Sequence, residues 1–352
     1  RAASMATGQD AVTKPGGGVL RARLFLLLAG CIWGTYAVLL RAINTVQATP
    51  LPAVFVTAAR YQFLCGFAFI QRGFFARHRG TGSAASATEP EASGEHGVAD
   101  PTWAAIELAA IAVFSTLASI WGVALVPSVT SEILSSTVHV FVPLLTVLSS
   151  GSLRSDDFGA RTWAGCIISF MAAVGETVAS AAADGEGVPK ASFKGQAAVV
   201  GSALVLALQR VRAQHHLKTH SASILNNRRM QWMGYISLIV LVADAMCGGA
   251  SAATLSSLGS IHSMQWALMA LSVFLSAFVA ASLQYEAQSV VPAANAQPFL
   301  ALQPIFSAFW AFLLLREPVA LSSLLGGCAQ IGGAIIASTD PSIGEKNKKK
   351  DE

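Results

Sequence analysis

Ten apolar stretches, each about 20 residues long, follow one another along this chain of 352 residues. A helix of 20 residues is about 30 Å long, which matches the thickness of the hydrocarbon core of a bilayer. Only 12% of the residues are charged, whereas a soluble domain carries about 25% because water must wet its surface. The sequence therefore predicts an all-α integral membrane protein with ten transmembrane helices. The stretches lie at 22–41, 51–71, 103–126, 129–150, 159–180, 193–213, 222–246, 263–284, 289–314 and 319–338.

The lysines and arginines fall mostly on one side of this arrangement. If the N-terminus is cytoplasmic, the cytoplasmic segments hold most of them, with Arg228 and Arg229 counted there at the start of the seventh stretch. Cytoplasmic loops of membrane proteins carry an excess of positive residues. Both termini are therefore expected on the cytoplasmic side, or on its topological equivalent. The net charge of +4 is mild, so no nucleic-acid partner is expected.

Three segments outside the apolar stretches differ in composition. Residues 1–21 predict a disordered N-terminal segment, with the tail of an organelle-targeting segment as the alternative. Residues 77–101 are rich in Gly, Ala, Ser and Glu without an apolar period, which predicts a flexible cytoplasmic loop. Residues 339–352 form a basic cytoplasmic tail. The sequence leaves open whether the membrane is the plasma membrane or an organellar one, such as that of a plastid.

An internal repeat relates the two halves of the chain. A shift of 161 residues places Pro143 on Pro304 and Asp156 on Glu317. An apolar run, an acidic turn and a helix of small residues thus recur in the same order. Self-similarity of this kind is typical of transporters built from two structural repeats.

A second and weaker match supports the same division. A shift of 169 residues places "ARYQFL" on "RRMQWM" and aligns Arg60 with Arg229. The chain is thereby predicted to consist of two five-helix repeats, at 22–180 and 193–338. Because five is an odd number, the second repeat must be inserted upside down relative to the first.

Four segments carry a family resemblance: "GCIWGTYAVLLRA", "TAARYQFL", "SEILSSTVHVFVPLLTVL" and "QPIFSAFWAFLLLREPVALSSLLGGCAQIGGAIIAS". With the ten stretches and the repeat, the chain resembles the drug/metabolite transporter superfamily, of the EamA-like type with two five-helix repeats. The family usually has Gly where Arg316 precedes Glu317, and the first-half copy of this motif, "LRSDDFG", is degenerate. The resemblance implies secondary transport of a small organic solute by alternating access.

Polar residues inside the fourth stretch are the first candidates for a solute site. Glu132, Ser135, His139 and Pro143 recur at the spacing of one helix face. Polar groups inside a membrane helix are costly and are functional candidates for that reason. His139 is a candidate for taking up a proton near neutral pH, and Pro143 is expected to kink the helix. A helix–helix hydrogen bond is the alternative role for these side chains.

The ninth stretch, which the repeat pairs with the fourth, supplies the next candidates. Asn295, Gln297 and Gln303 are polar, and Pro292 and Pro298 interrupt the helix where carbonyl groups can face a ligand.

Arg60, near the middle of the second stretch, requires a partner inside the membrane. Two partners are considered, an anionic group of the solute and a fixed acid such as Glu132 or Glu176. Trp33 and Tyr36 in the first stretch are predicted to form aromatic walls of the site, with generic packing as the alternative.

The closing hairpin is interpreted as structural. Arg316, Glu317 and Pro318 form its tip, where Pro and Glu suit the first turn of a helix. The helix that follows carries a face of small residues, which lets helices approach closely in lipid. These residues are Ser322, Gly326, Ala329, Gly333 and Ala337.

The predicted function is secondary transport of a small organic metabolite, with protons as a candidate coupling ion. A sugar-phosphate or nucleotide-sugar antiporter of the same superfamily ranks lower, because the last three stretches contain no Lys or Arg in their interiors. A channel ranks lower still, since no pore loop separates the stretches. Neither HExxH nor GxSxG occurs, so no enzyme is expected, and no metal or cofactor. The expected partners are a small solute, lipid and a second copy in a homodimer.

Overall fold

A computed structural model of the chain describes residues 15–47, 50–81, 101–149, 160–182, 192–291, 296, 299–300, 302–317 and 321–338. All regular structure in these ranges is helical, which confirms the all-α prediction. The apolar stretches form helices because no water is present in lipid to satisfy backbone groups, which must therefore bond within the chain. Most of the predicted loop 77–101 lies outside the described residues, since the second stretch continues as helix to Thr81.

The first half contains seven helices among the residues described. They are α1 (Pro15–Trp33), α2 (Thr35–Thr45), α3 (Ala53–Thr81), α4 (Thr102–Val123), α5 (Ser128–Ser135), α6 (Val138–Ser149) and α7 (Ala160–Ala182).

The second half contains seven further α-helices among the residues described. They are α8 (Phe193–His216), α9 (Ala222–Met246), α10 (Ala250–Ser256), α11 (Ser263–Val273), α12 (Ala281–Gln288), α13 (Gln303–Trp310) and α14 (Leu321–Ser338). A 3-10 turn covers Leu258–Ser260, and π-helical segments cover Phe274–Ala280 and Ala311–Leu315.

Five of these helical segments are long and apolar enough to cross a membrane. They are Leu20–Thr45, Ala53–Gln71, Thr102–Val123, Ser128–Thr146 and Ser263–Gln288. A sixth results if α9 and α10, which meet at a bend of 96°, are counted as one broken span. The chain is thus a multi-pass integral membrane protein. This count, which covers the described residues only, is lower than the ten spans expected from the sequence.

The outer surface of the helices is apolar, as lipid requires. Ile70, Ile239 and Phe312 are each more than 60% exposed, although a soluble protein would bury side chains of this kind. Polar side chains are buried instead, among them Arg60 and Glu132 at 1% exposure each. The described part of the molecule therefore combines an apolar exterior with an interior that holds buried polar side chains as well as apolar ones.

Two of the spans are locally irregular near their middle. Gly34, whose backbone angles are helical, separates α1 from α2, and α5 and α6 meet at Ser136 and Thr137. The hydroxyls of Ser136 and Thr137 donate to the backbone carbonyls of Ile133 and Leu134, at 2.7 and 2.6 Å, and such local bonds compete with the helical ladder. The break therefore lies well before Pro143, where the sequence predicted a kink.

The largest packing contacts join one half of the chain to the other. α7 packs on α14, α4 on α8 and α9, α3 on α9, and α6 on α8, followed by α1 on α12. Small residues allow the approach of α7 and α14, since a Cβ on Gly333 would lie 2.6 Å from the carbonyl oxygen of Gly165. The face of small residues in α14 thus packs against another helix, as its composition indicates.

Candidate functional site

A cavity of about 100 Å³ lies between helices of both halves. Trp33 and Tyr36, on either side of Gly34, belong to its wall, as does Glu132 of α5. α3, α4, α6, α8, α9, α12 and α13 complete the wall, together with the π-helical segment before α12. A cavity of this size holds several water molecules or a small solute. Most of its lining is apolar, but arginines and a glutamate also line it, and charged groups inside a membrane protein are functional candidates, so it is the candidate site.

Arg60 reaches the cavity from α3. Its Nε donates to the Oγ of Ser272 at 2.9 Å, and its Nη2 donates to the Oγ of Ser276 at 3.5 Å. The guanidinium carbon lies 5.1 Å from the centre of the Tyr36 ring, a distance typical of a cation–π contact. Its Nη1 has no hydrogen-bond partner among the described residues. In the described part of the chain, Arg60 is therefore held by hydroxyls and a ring, without a carboxylate.

Arg229 occupies the matching place in α9. Its Nε and Nη2 donate to the Oδ1 of Asn226 at 3.2 and 2.9 Å, and its guanidinium carbon lies 4.9 Å from the centre of the Tyr285 ring. Tyr285 also lies close enough to Arg210 of α8 to interact with it electrostatically. Three buried arginines, each 7% exposed or less, thus line one cavity.

Glu132 is the carboxylate on the described part of the cavity wall. The Nε2 of Gln303, in α13, donates a hydrogen bond to its Oε1. Its Oε2 has no hydrogen-bond partner among the described residues. This contact joins the fourth stretch to the ninth, the two that the repeat pairs with each other.

The nine residues predicted to bind solute are placed in three ways. Asn295 and Gln297 lie outside the described residues. His139 is buried but does not belong to the cavity wall, where its neighbour Val138 lies instead. The break at 136–137 explains this, because the spacing that put His139 on the face of Glu132 holds only for a continuous helix. The cavity brings together Trp33, Tyr36, Arg60, Glu132, Ser135 and Gln303.

The sequence analysis missed two of the three arginines in the cavity. Arg229 was counted with the exposed positive residues of the cytoplasmic side, yet it is only 5% exposed. Its alignment with Arg60 in the repeat was the signal that placed it inside. Arg210 and Arg212 are two residues apart in α8, which puts them on opposite sides of the helix. Arg210 lines the cavity, and Arg212 pairs with Glu107 away from it.

Ion pairs in the described residues lie outside the cavity. Glu317, at the tip of the closing hairpin, lies 3.6 Å from Arg41 and accepts a hydrogen bond from Ser128 at the start of α5. Its neighbour Arg316 has a φ of 53°, in the left-handed region that favours glycine. This tip is part of the packing between α2, α5 and the end of the ninth stretch. The other pairs are Arg21 with Glu286 at 3.1 Å and Arg212 with Glu107 at 2.5 Å, and His216 also contacts Glu107 at 3.0 Å.

Comparison with known proteins agrees with this architecture. Residues 193–339 match the profile described as the EamA-like transporter family. A comparison with curated proteins gave no match. Among solved structures, one titled "Crystal structure of protein" shares 14% sequence identity with the chain, at a TM-score of 0.58. The match covers 90% of this chain and 96% of the other, and at that identity it shows a shared fold.

Members of this family are transporters. The match falls on the half of the chain that holds the closing hairpin, from which much of the resemblance was drawn. The resemblance is thereby confirmed for residues 193–339, which match the EamA-like transporter family, consistent with the drug/metabolite transporter superfamily.

Proposed function

We propose that this protein is a secondary transporter that moves a small organic metabolite by alternating access. The observation that carries the proposal is the internal cavity with charged side chains on its wall, to which both halves of the chain contribute. Transporters with repeated halves bind their solute between the repeats, near the middle of the membrane. The proposed solute-binding residues are Trp33, Tyr36, Arg60, Glu132, Ser135 and Gln303, with His139, Asn295 and Gln297 as further candidates.

An arrangement of ten spans in two inverted repeats is part of the proposal. It is supported by how the helices pair, because a twofold relation between the halves joins equivalent helices to each other. α3 packs on α9 and α7 on α14, which are equivalent helices in the proposed repeat. Two further pairs are α4 with α8 and α1 with α12. In the proposed repeat α4 is equivalent to the helix that contains α12, and α8 to the span that contains α1, so the twofold rotation would place one pair on the other.

Gly34 and the irregular turn at 136–137 are the proposed hinge points of the moving parts. Gly34 lies between the cavity residues Trp33 and Tyr36, and a Cβ there would lie 2.8 Å from the Cβ of Phe306 and 3.1 Å from the carbonyl oxygen of Gln303. The irregular turn at 136–137 follows the cavity residue Ser135 directly. Hinges are a few residues at the ends of elements that absorb a change in backbone angles. Bending at these points would open the cavity to either side.

Proton coupling, where present, is proposed to involve Glu132. It lines the cavity and bridges the halves through Gln303, whereas His139 does not line the cavity. The charged side chains that share the cavity with it are Arg60, Arg210 and Arg229. If this assignment is right, Glu132→Gln removes the pH dependence of transport, and His139→Gln retains it.

The test is solute uptake by purified protein in proteoliposomes, using a panel of metabolites. Saturable uptake of at least one solute is expected, because a carrier binds its solute before moving it. The Arg60→Ala variant is expected to lose most of this flux, with a smaller loss for His139→Ala. Undiminished flux in both variants would overturn the site, and single-channel currents would overturn the carrier mechanism.

A further inference from the structure

We propose that the solute of this transporter is an organic oxyanion, whose carboxylate or phosphate group is bound by Arg60 and Arg229. This inference rests on the proposed function and names the chemical class of its substrate. It reverses the ranking that the sequence indicated, because the positive charge comes from α3, α8 and α9 rather than from the last three stretches.

The first argument is the balance of charge in the cavity. Arg60, Arg210 and Arg229 line it, and Glu132 is the acid on its described walls. Neither Arg60 nor Arg229 makes an ion pair with a carboxylate of the described residues, although both are 5% exposed or less. A buried charge without a counter-charge is strongly unfavourable. An anionic solute supplies that counter-charge.

The second argument is the chemistry of the polar atoms at the wall. Four groups that can donate hydrogen bonds have no partner among the described residues, namely the Nη1 of Arg60, the Nε1 of Trp33, the Oη of Tyr285 and the Nε2 of Gln288. The Oε2 of Glu132 is the acceptor in the same condition. An excess of donors suits a ligand with several acceptor oxygens, as a carboxylate or phosphate has.

The third argument is how the two guanidinium groups are held. Tyr36 lies against Arg60 and Tyr285 lies against Arg229, at 5.1 and 4.9 Å. In both arginines the Nε and Nη2 already donate within the protein, so Nη1 and the second hydrogen of Nη2 are the donors that remain for an oxyanion. Because the sequence repeat aligns Arg60 with Arg229, each half of the transporter contributes one such group.

The experiment compares acids with neutral counterparts of similar shape. Thermal unfolding of the purified protein is measured with succinate, succinamide, glucose 6-phosphate and glucose, and uptake of each is measured in proteoliposomes. At least one acid is expected to raise the melting temperature in a saturable manner, and its neutral counterpart is not. Preference for succinate or for glucose 6-phosphate distinguishes a carboxylate from a phosphate.

Variants assign the effect to the cavity. Arg60→Gln and Arg229→Gln are each expected to raise the half-saturating concentration of the acid about tenfold or more. A hydrogen bond to a charged group contributes about 1.5 kcal/mol or more, so its loss lowers the affinity by that factor. Arg21→Gln removes the same charge from an exposed site and is expected to change it less than twofold. If one cavity variant does not fold, the other still tests the proposal.

Each outcome bears on the inference. If an acid stabilises the protein and both cavity variants lose that stabilisation, the anion-binding proposal is supported. If the same acid binds but is not transported, the carrier function is refuted and the anion-binding proposal stands. Saturable uptake of the neutral member of a pair leaves the carrier function standing and overturns the anion. The absence of any acid-specific shift in protein that unfolds cooperatively also overturns it.

Discussion

The arginines at the edge of the molecule and those in its cavity are held in different ways. Arg21, Arg41 and Arg212 each have a carboxylate within 3.6 Å or less. Arg60 and Arg229 are far more buried, yet their partners in the described residues are hydroxyls, an amide oxygen and tyrosine rings. If burial alone governed pairing, the buried arginines would be the ones to receive acids. Among the described residues, no carboxylate contacts Arg60 or Arg229, although Glu132 lines the same cavity.

This difference teaches what the cavity is built for. An internal carboxylate beside Arg60 would compete with any anion that entered from solution. Serine and asparagine orient a guanidinium group without neutralising it. Arg60 and Arg229 are therefore oriented without a carboxylate partner among the described residues, as the proposed anion site requires, whereas Arg21, Arg41 and Arg212 each have one.

The largest effect is expected when an acidic side chain is introduced beside a cavity arginine. In Ser272→Asp the new carboxylate lies beside the Nε of Arg60, which Ser272 contacts at 2.9 Å. It should neutralise Arg60 and reduce solute flux by about tenfold to 100-fold, because a bond between charged groups contributes about 1.5–3 kcal/mol. Uptake in proteoliposomes measures the effect. Ser272→Asn has a similar shape without charge, so an equal loss in that variant would point to crowding instead.

A smaller effect is expected from the equivalent change beside Arg229. Asn226→Asp retains the shape of the side chain that accepts both bonds from Arg229 and adds a negative charge. Flux should fall about tenfold while the melting temperature rises, because a buried charge gains a partner. A fall in both quantities would contradict the view that Arg229 lacks a counter-charge in the folded protein.

At the periphery, the expected effect is one of stability. Arg316 has a left-handed backbone at φ 53°, where the resemblance puts glycine, and this conformation costs a residue with a side chain about 1 kcal/mol. Arg316→Gly should therefore stabilise the protein by up to about that amount, with transport unaltered. Thermal unfolding of the purified variant measures the change. Destabilisation would show that the Arg316 side chain makes contacts worth more than the strain.

The smallest effect is expected from a peripheral ion pair. Glu107→Gln removes the acid that contacts Arg212 and His216, at side chains that are partly exposed. Exposed pairs contribute about 1 kcal/mol or less, so both stability and flux should stay close to those of the unaltered protein. A large loss of flux would mean that this pair takes part in transport. The distinction between structural arginines at the edge and solute-binding arginines in the cavity would then be wrong.

Residues of the candidate site could be predicted from helical spacing only where the helices are regular. Arg60 and Glu132 were found because a charged residue within an apolar stretch stands out, and Gln303 because the repeat pairs its stretch with that of Glu132. His139 was assigned by helical spacing, which fails beyond the break at 136–137. Hydrophobicity does not reveal such a break, because the hydroxyl–carbonyl bonds that accompany it are local and weak.

The fold itself was predictable to a coarser level. Apolar length is sufficient to predict helices in lipid, so the all-helical architecture followed from hydropathy. Arg210 and Arg212 both lie near the end of α8, and hydropathy cannot tell which of them lines the cavity. Their separation depends on which side of α8 packs against α4, and that contact is tertiary.

The pairing of helices across the two halves has a consequence for biosynthesis. The serines that contact Arg60 lie more than 200 residues further along the chain. When α3 leaves the ribosome, those serines have not yet been made, and Arg60 must enter the membrane without them. We expect the early helices to stay beside the insertion machinery until α11 and the helix after it are synthesised. A ribosome stalled before residue 272 would then leave α3 more accessible to water-soluble thiol reagents at Cys65 than in the finished protein.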